Sequence, residues 1–200
     1  MKVGIVASIK NSYFNEINYV LDKNWISFLD KVFENYNLEI INEKTKNFNH
    51  DIIILTGGND SLKFSRKKTD IIRNKLDNIV IKNCIKKKIK LIGICWGAIK
   101  INEYFNGRTA KIKNHVRKFH NIYGHSDLEN KKFNLTLKVN SYHNYQLKKL
   151  GKDLIGCMKC IKDNSIEMFI HKKKDIIGIM WHPERHKIYN NFDKKLFKVK

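Results

Sequence analysis

The sequence predicts an α/β fold, a doubly wound and mostly parallel central sheet with an antiparallel or mixed extension. Three observations lead there. In the first half of the 200 residues, short runs rich in Val, Ile and Leu alternate with longer amphipathic stretches. After residue 110 the helical patterning thins, and strand-like segments follow one another over short polar connections. No Pro-rich or Gly/Ser-rich linker and no internal repeat divides the chain, so a single domain over 1–200 is expected.

The elements follow in order. KVGIVAS (2–8), LEIIN (39–43), DIIILTGG (51–58) and KLIGIC (90–95) are apolar runs bounded by Gly, Asn or Lys, as strands buried on both faces are. Between them, residues 24–36 place Trp25, Phe28, Leu29, Val32 and Phe33 on one helical face. Residues 69–87 do the same with Ile71, Ile72, Leu76, Ile79 and Val80. In the second half, 133–140, 165–172 and 175–182 read as strands.

Charge and cysteine content narrow the function classes. Forty Lys and Arg against 19 Asp and Glu give a formal net charge of +21, a field that attracts nucleic acid, anionic lipid or phosphorylated small molecules. A coding sequence rich in A and T, which favours Lys, Asn and Ile everywhere, yields the same excess with no ligand behind it. No apolar run approaches the roughly 18 residues of a membrane span, and the opening MKVGIVASIK suits a buried strand better than a secretory signal. Four cysteines (Cys84, Cys95, Cys157, Cys160) are too few for a disulfide scaffold, so free thiols and a cytoplasmic location are expected.

Three short stretches carry chemistry. In LIGICWGAIK a buried strand runs into Cys95, flanked by Gly93 and Gly97, and an amphipathic helix begins at once. Small residues on both sides permit a tight strand-to-helix turn that projects a nucleophile, and the helix N-terminus favours a thiolate and an oxyanion. A small apolar core residue is the other reading of Cys95. LTGGNDS (55–61) follows a second buried strand, and its paired glycines allow backbone to approach a ligand or complete an oxyanion hole. MWHPER (180–185) holds the only proline of the chain. Pro183 keeps His182 extended and ends the strand, so His182 and Glu184, two apart, address one side of its end. Cys95, His182 and Glu184 then suit the roles of nucleophile, base and orienter.

LTGGNDS, GICWG, VNSYHNYQLKKLG and IEMFIHKKKDIIGIMWHPER, in this order, resemble the class I glutamine amidotransferase superfamily, and within it the free-standing γ-glutamyl hydrolases. The resemblance covers roughly residues 2 to 186. It implies a three-layer α/β sandwich and a Cys95–His182–Glu184 triad. It also implies oxyanion-hole N–H groups from Gly58 and Trp96, a glutamyl thioester, hydrolysis to L-glutamate, and no metal or cofactor. Gly57, Asn59, Ser141, Tyr142 and His143 are implied to lie against the substrate; the stretch Asn140-Ser141-Tyr142-His143 matches the family segment that helps hold the glutamyl head, Ser141 and Tyr142 foremost. The chain departs from the family where Ile99 replaces a Gln four residues after the nucleophile, where Thr56 replaces a proline, and at Asn59-Asp60-Ser61.

Within that branch, small size and basic charge are similar to enzymes that cleave γ-glutamyl-CDP-amidate, freeing cytidine diphosphoramidate for capsule modification. A pyrophosphate leaving group needs cations, and KIKNHVRKFHNIYGH (111–125) supplies Lys113, His115, Arg117, Lys118 and His120. A solvated charged loop is the plainer reading. Alternatives are a γ-glutamyl-γ-aminobutyrate-type hydrolase and a glutaminase subunit that passes ammonia to a synthetase. A nucleic-acid-binding module lacks any recognised reading motif here. CMKC (157–160) is a lone CxxC without a second pair, and His115, His120 and His125 recur every five residues, a spacing that fits no helical or strand face, so no metal site is expected.

Overall fold

The computed structural model describes residues 1–128 and 131–199, with side chains described for 1–124 and 135–199. The elements run β1 (Lys2–Val6), β2 (Ser8–Asn11), β3 (Ile17–Val20), α1 (Asn24–Val32), β4 (Asn37–Ile40), β5 (Ile52–Leu55), α2 (Lys68–Lys87), β6 (Lys90–Ile94) and α3 (Trp96–Tyr104). They continue with β7 (Arg108–Lys111), β8 (Val116–Leu128), β9 (Lys131–Tyr142), β10 (Tyr145–Lys149), β11 (Leu154–Cys160), β12 (Ile166–His171), β13 (Ile176–Ile179) and α4 (Asn191–Leu196). A 3₁₀ turn spans Pro183–Arg185.

Among the described residues the main sheet has the order β4-β1-β5-β6-β13-β12-β11-β8-β9. The first five strands pair parallel. The rest of the sheet, from β13 outward, pairs antiparallel. Strands β5, β6 and β13 are buried along their whole length, which is why they read as unbroken apolar runs. One face of the sheet packs Trp25, Phe28 and Leu29 of α1 with Leu196 and Phe197 at the end of α4. The other packs Leu76, Val80 and Ile81 of α2 with Trp96, Ala98 and Ile101 of α3. Helices on both faces of a central sheet make the expected three layers. Among the described residues, no helix is long and apolar enough to cross a membrane.

The structure departs from the sequence reading in three places. The first strand run breaks at Ala7 and restarts as a small antiparallel hairpin, β2–β3. The buried face of α2 is not its Ile face: Ile71 and Ile79 are exposed, whereas Arg73 and Asp77 are fully buried. Periodicity misjudges this helix because its inner side meets polar backbone at the strand ends rather than apolar side chains alone. The basic stretch 111–125 is not a solvated loop, since β8 occupies it from Val116 onward and pairs with β9.

Candidate active site

Cys95 sits between β6 and α3 with φ 52° and ψ −101°, a conformation that costs a non-glycine residue on the order of 1–3 kcal/mol. Its N–H donates to Ile179 O (2.8 Å) and its carbonyl accepts from Ile99 N (3.0 Å), so β13 and the first turn of α3 hold the strain. The flanking glycines serve a close approach. A Cβ on Gly97 would lie 2.2 Å from Leu55 O, and one on Gly93 2.5 Å from the Gly97 carbonyl carbon. Helix α3 therefore rests directly on β5 and β6, with the half-buried Cys95 at their carboxyl ends, where open α/β sheets bind ligands.

His182 follows β13, and Pro183 at the start of the 3₁₀ turn bends the chain so that Glu184 folds back. His182 Nδ1 is 2.7 Å from Glu184 Oε1, and both side chains are buried. Burial opposes the imidazolium and is the largest single influence. The Glu184 carboxylate and hydrogen bonds to Cys95 and Glu184 together outweigh it, and the His182 pKa is pushed up to about 10. A strongly basic imidazole that touches a thiol on one side and a carboxylate on the other can take up the thiol proton.

Gly57 packs against this pair: a Cβ there would meet His182 Cε1 at 2.8 Å and Cys95 Cβ at 3.3 Å. Gly58 has φ 101°, and Lys10 of β2 donates its ammonium to the Gly58 carbonyl. Thr56, where the family has proline, donates its hydroxyl to Val6 O (2.7 Å) and ties the loop to β1. Trp96 opens α3, where first-turn N–H groups have no partner inside the helix.

A buried network that the sequence reading missed joins the two halves of this cleft. Arg73 donates to Ala7 O (2.8 Å), Thr56 O (2.9 Å) and Asp77 Oδ1 (2.8 Å), and Asp77 Oδ2 accepts from Trp96 Nε1 (2.8 Å). The i, i+4 spacing of Arg73 and Asp77 was visible in the sequence, but surface pairs show the same spacing. Asn140, expected in the stretch that holds the glutamyl head, holds the backbone of His182. Its amide donates to His182 O (2.7 Å) and accepts from His182 N (2.9 Å).

Several expected substrate contacts lie elsewhere. Asn59 spends its amide on Ile9 and Asp70 and holds β2 to α2. Ser141 is fully buried with its hydroxyl on His115 O (2.5 Å). Strand alternation explains this, because Asn140 and Tyr142 face His182 and Ser141 between them points away. His143, His115 and His120 are turned toward Glu167 instead of standing in the cleft. Tyr142 does meet the site: its half-exposed ring stands perpendicular to His182 at 5.7 Å, and the Arg185 guanidinium lies over it at 4.9 Å. Arg117 is exposed with φ 53° at a bulge opposite Tyr142 and Ser141, and Lys113 and Lys118 are exposed beside it. Ile99 is buried in the core beneath α3. In CMKC, Cys157 packs in the core while Cys160 lies near His115 and His120. The side chain of His125 lies outside the described residues.

Comparison with known proteins agrees with this architecture. A gamma-glutamyl-CDP-amidate hydrolase of Campylobacter jejuni is 41% identical over 140 residues, 70% of this chain, and the match spans only 64% of that relative's length. Anthranilate synthase component 2 of Methanocaldococcus jannaschii is 25% identical over 92% of this chain and 84% of its own. A crystal structure of a glutamine amidotransferase from Thermotoga maritima superposes with a TM-score of 0.67 over 92% of this chain and 76% of its own, at 15% identity. The family model for glutamine amidotransferase class-I matches residues 19–198, and the chain belongs to that family.

Proposed function

We propose that the chain, as one domain, is a cysteine hydrolase of γ-glutamyl amides that releases L-glutamate in the cytoplasm. The observation that carries this is the contact of one buried imidazole, His182, with Glu184 at 2.7 Å and with Cys95. Cys95 Sγ attacks the γ-carbonyl carbon while His182 takes the thiol proton. The oxyanion lies toward the backbone N–H groups of Gly58 and Trp96. Collapse breaks the C–N bond, His182 returns the proton to the leaving nitrogen, and a glutamyl thioester remains. His182 then deprotonates a water that attacks the thioester, the C–S bond breaks, and glutamate leaves with Cys95 restored.

The leaving group we propose is a nucleoside diphosphoramidate, with γ-glutamyl-CDP-amidate as substrate. The similarity to the Campylobacter jejuni hydrolase supports this, as does the Arg185 guanidinium over Tyr142 beside His182. Arg117 stands at the bulge opposite Tyr142 in the β8–β9 ladder, and bulges of this kind re-direct a side chain. Arg117 is retained from the phosphate-binding set expected of residues 111–125, and His115 and His120, turned toward Glu167, are not.

The test measures glutamate released from γ-glutamyl-CDP-amidate, γ-glutamyl-γ-aminobutyrate and glutamine, with Cys95→Ala as control. The nucleotide substrate should lead by kcat/KM, and Arg117→Ala should raise its KM about tenfold while leaving the aminobutyrate substrate unchanged. Equal rates on all three would remove the nucleotide assignment, and turnover by Cys95→Ala would remove the mechanism. A second reading, a glutaminase subunit feeding a synthetase, is favoured by the likeness to anthranilate synthase component 2. It requires glutamine turnover that rises when a partner protein is added.

A further inference from the structure

Away from the cleft, four buried polar atoms point at one another without bonding. His115 Nδ1, His120 Nε2, His143 Nε2 and Glu167 Oε2 are each shut off from solvent and have no hydrogen-bond partner. The three imidazole nitrogens stand 3.6, 3.5 and 3.6 Å from the Glu167 carboxylate oxygens. That spacing is too long for charge-assisted hydrogen bonds, which close to about 2.7–2.9 Å. It matches the edge of a tetrahedron whose centre is a zinc ion: bonds of about 2.0–2.1 Å put neighbouring donors about 3.4 Å apart. Donor atoms of His115, His143 and Glu167 all lie within 4.8 Å of one another, whereas His120 groups in that way with His115 and Cys160.

The outer contacts are those of metal ligands. The other nitrogen of His115, Nε2, is 2.7 Å from Asp163 Oδ2, and His143 Nδ1 is 2.8 Å from Tyr145 O. Such partners fix the ring and its tautomer and leave the far nitrogen free to coordinate. Ser165 hydrogen-bonds both Asp163 (2.8 Å) and Glu167 (3.1 Å), which orients both carboxylates. The five-residue spacing of His115 and His120 suits no regular strand, but Arg117 between them is bulged out of register with φ 53°. The extra residue returns the two histidines to one side, with ring centroids 4.8 Å apart.

We propose that His115, His143 and Glu167 bind one zinc ion that fastens the start of β8 and the end of β9 to β12. Two imidazole nitrogens with one carboxylate oxygen are a donor set suited to zinc, and a water molecule would complete the tetrahedron. The ion backs the same hairpin whose Asn140 holds His182.

The test is metal analysis of the full chain after removal of any affinity tag and dialysis against zinc. About one zinc per chain is expected, with removal by a strong chelator lowering Tm by about 10 °C and zinc restoring it. Glu167→Gln and His143→Gln should each reduce bound zinc at least tenfold. Should either variant fail to fold, cobalt(II) substitution of the unaltered protein decides by its absorption: an intense tetrahedral spectrum without a thiolate band supports the site. A weak octahedral spectrum, a thiolate band from Cys160, zinc retained by folded variants, or an unaltered protein that takes up no zinc would each overturn it.

Discussion

The side chain of Asn140 grips the backbone of His182 from both sides, donating to its carbonyl at 2.7 Å and accepting from its N–H at 2.9 Å. A residue of β9 in the antiparallel extension thereby sets the position of the imidazole at the end of β13 in the parallel core. Replacing Asn140 by Ala leaves two buried backbone groups of His182 unsatisfied, at a cost of about 1–3 kcal/mol each before water enters. The expected result is a folded protein with a lower Tm and about 100-fold lower kcat, since sub-ångström displacement of a base has effects of that size. Steady-state kinetics beside a thermal melt separate the two effects, and an unchanged kcat would show that the clamp is only structural.

Two glycines predict opposite outcomes. Gly97→Ala drives a Cβ to within 2.2 Å of Leu55 O, a backbone atom with nowhere to go, and should destabilise the fold by at least about 1–3 kcal/mol. Gly57→Ala instead meets His182 Cε1 at 2.8 Å. It should displace the imidazole and abolish glutamate release with little change in Tm. Denaturant midpoints and turnover measured on both variants check the contrast.

The His182 pKa, about 10, lies above the 6.5 of a free imidazole. Folding therefore gains from this group fully below pH 6.5, and the gain drains away as pH rises toward 10. Glu184→Gln removes the charge that supports the imidazolium, while burial, which opposes it, remains. The imidazole pKa should then fall, with the Cys95 contact as its remaining support, and the alkaline loss of stability from this group should shrink. Imidazole NMR titration and Tm against pH read both changes, and the variant should also lose about 10⁴-fold in kcat by analogy with triad carboxylate replacements.

Arg73 and Asp77 are both fully buried, 2.8 Å apart, and tie Thr56 to Trp96. Arg73→Met strands the Asp77 carboxylate and should cost about 3–5 kcal/mol. Adding Asp77→Leu should recover much of that stability but not the activity, because the link between the Gly57–Gly58 loop and Trp96 is gone. A double-mutant cycle on folding and on kcat distinguishes a positioning pair from a purely structural one.

Wherever a few neighbouring residues constrain the backbone, the sequence alone determined the outcome. Buried runs of Ile, Val and Leu became the parallel strands. Gly93-Ile94-Cys95-Trp96-Gly97 became the strand-to-helix turn, and the lone Pro183 folded Glu184 back onto His182. These are short-range steric effects written within five residues. Tertiary structure decided everything that depends on register or on which surface a helix face meets. Alternation in β9 sent Asn140 and Tyr142 toward His182 and Ser141 away from it, and the sequence pattern does not reveal which parity faces the cleft. One bulged residue, Arg117, turned an unpromising His spacing into a buried cluster. Arg73 and Asp77 look like surface charges on a helix until strand-end carbonyls and an indole approach them, because a buried polar group is stabilised by distant partners that the chain brings near only when folded.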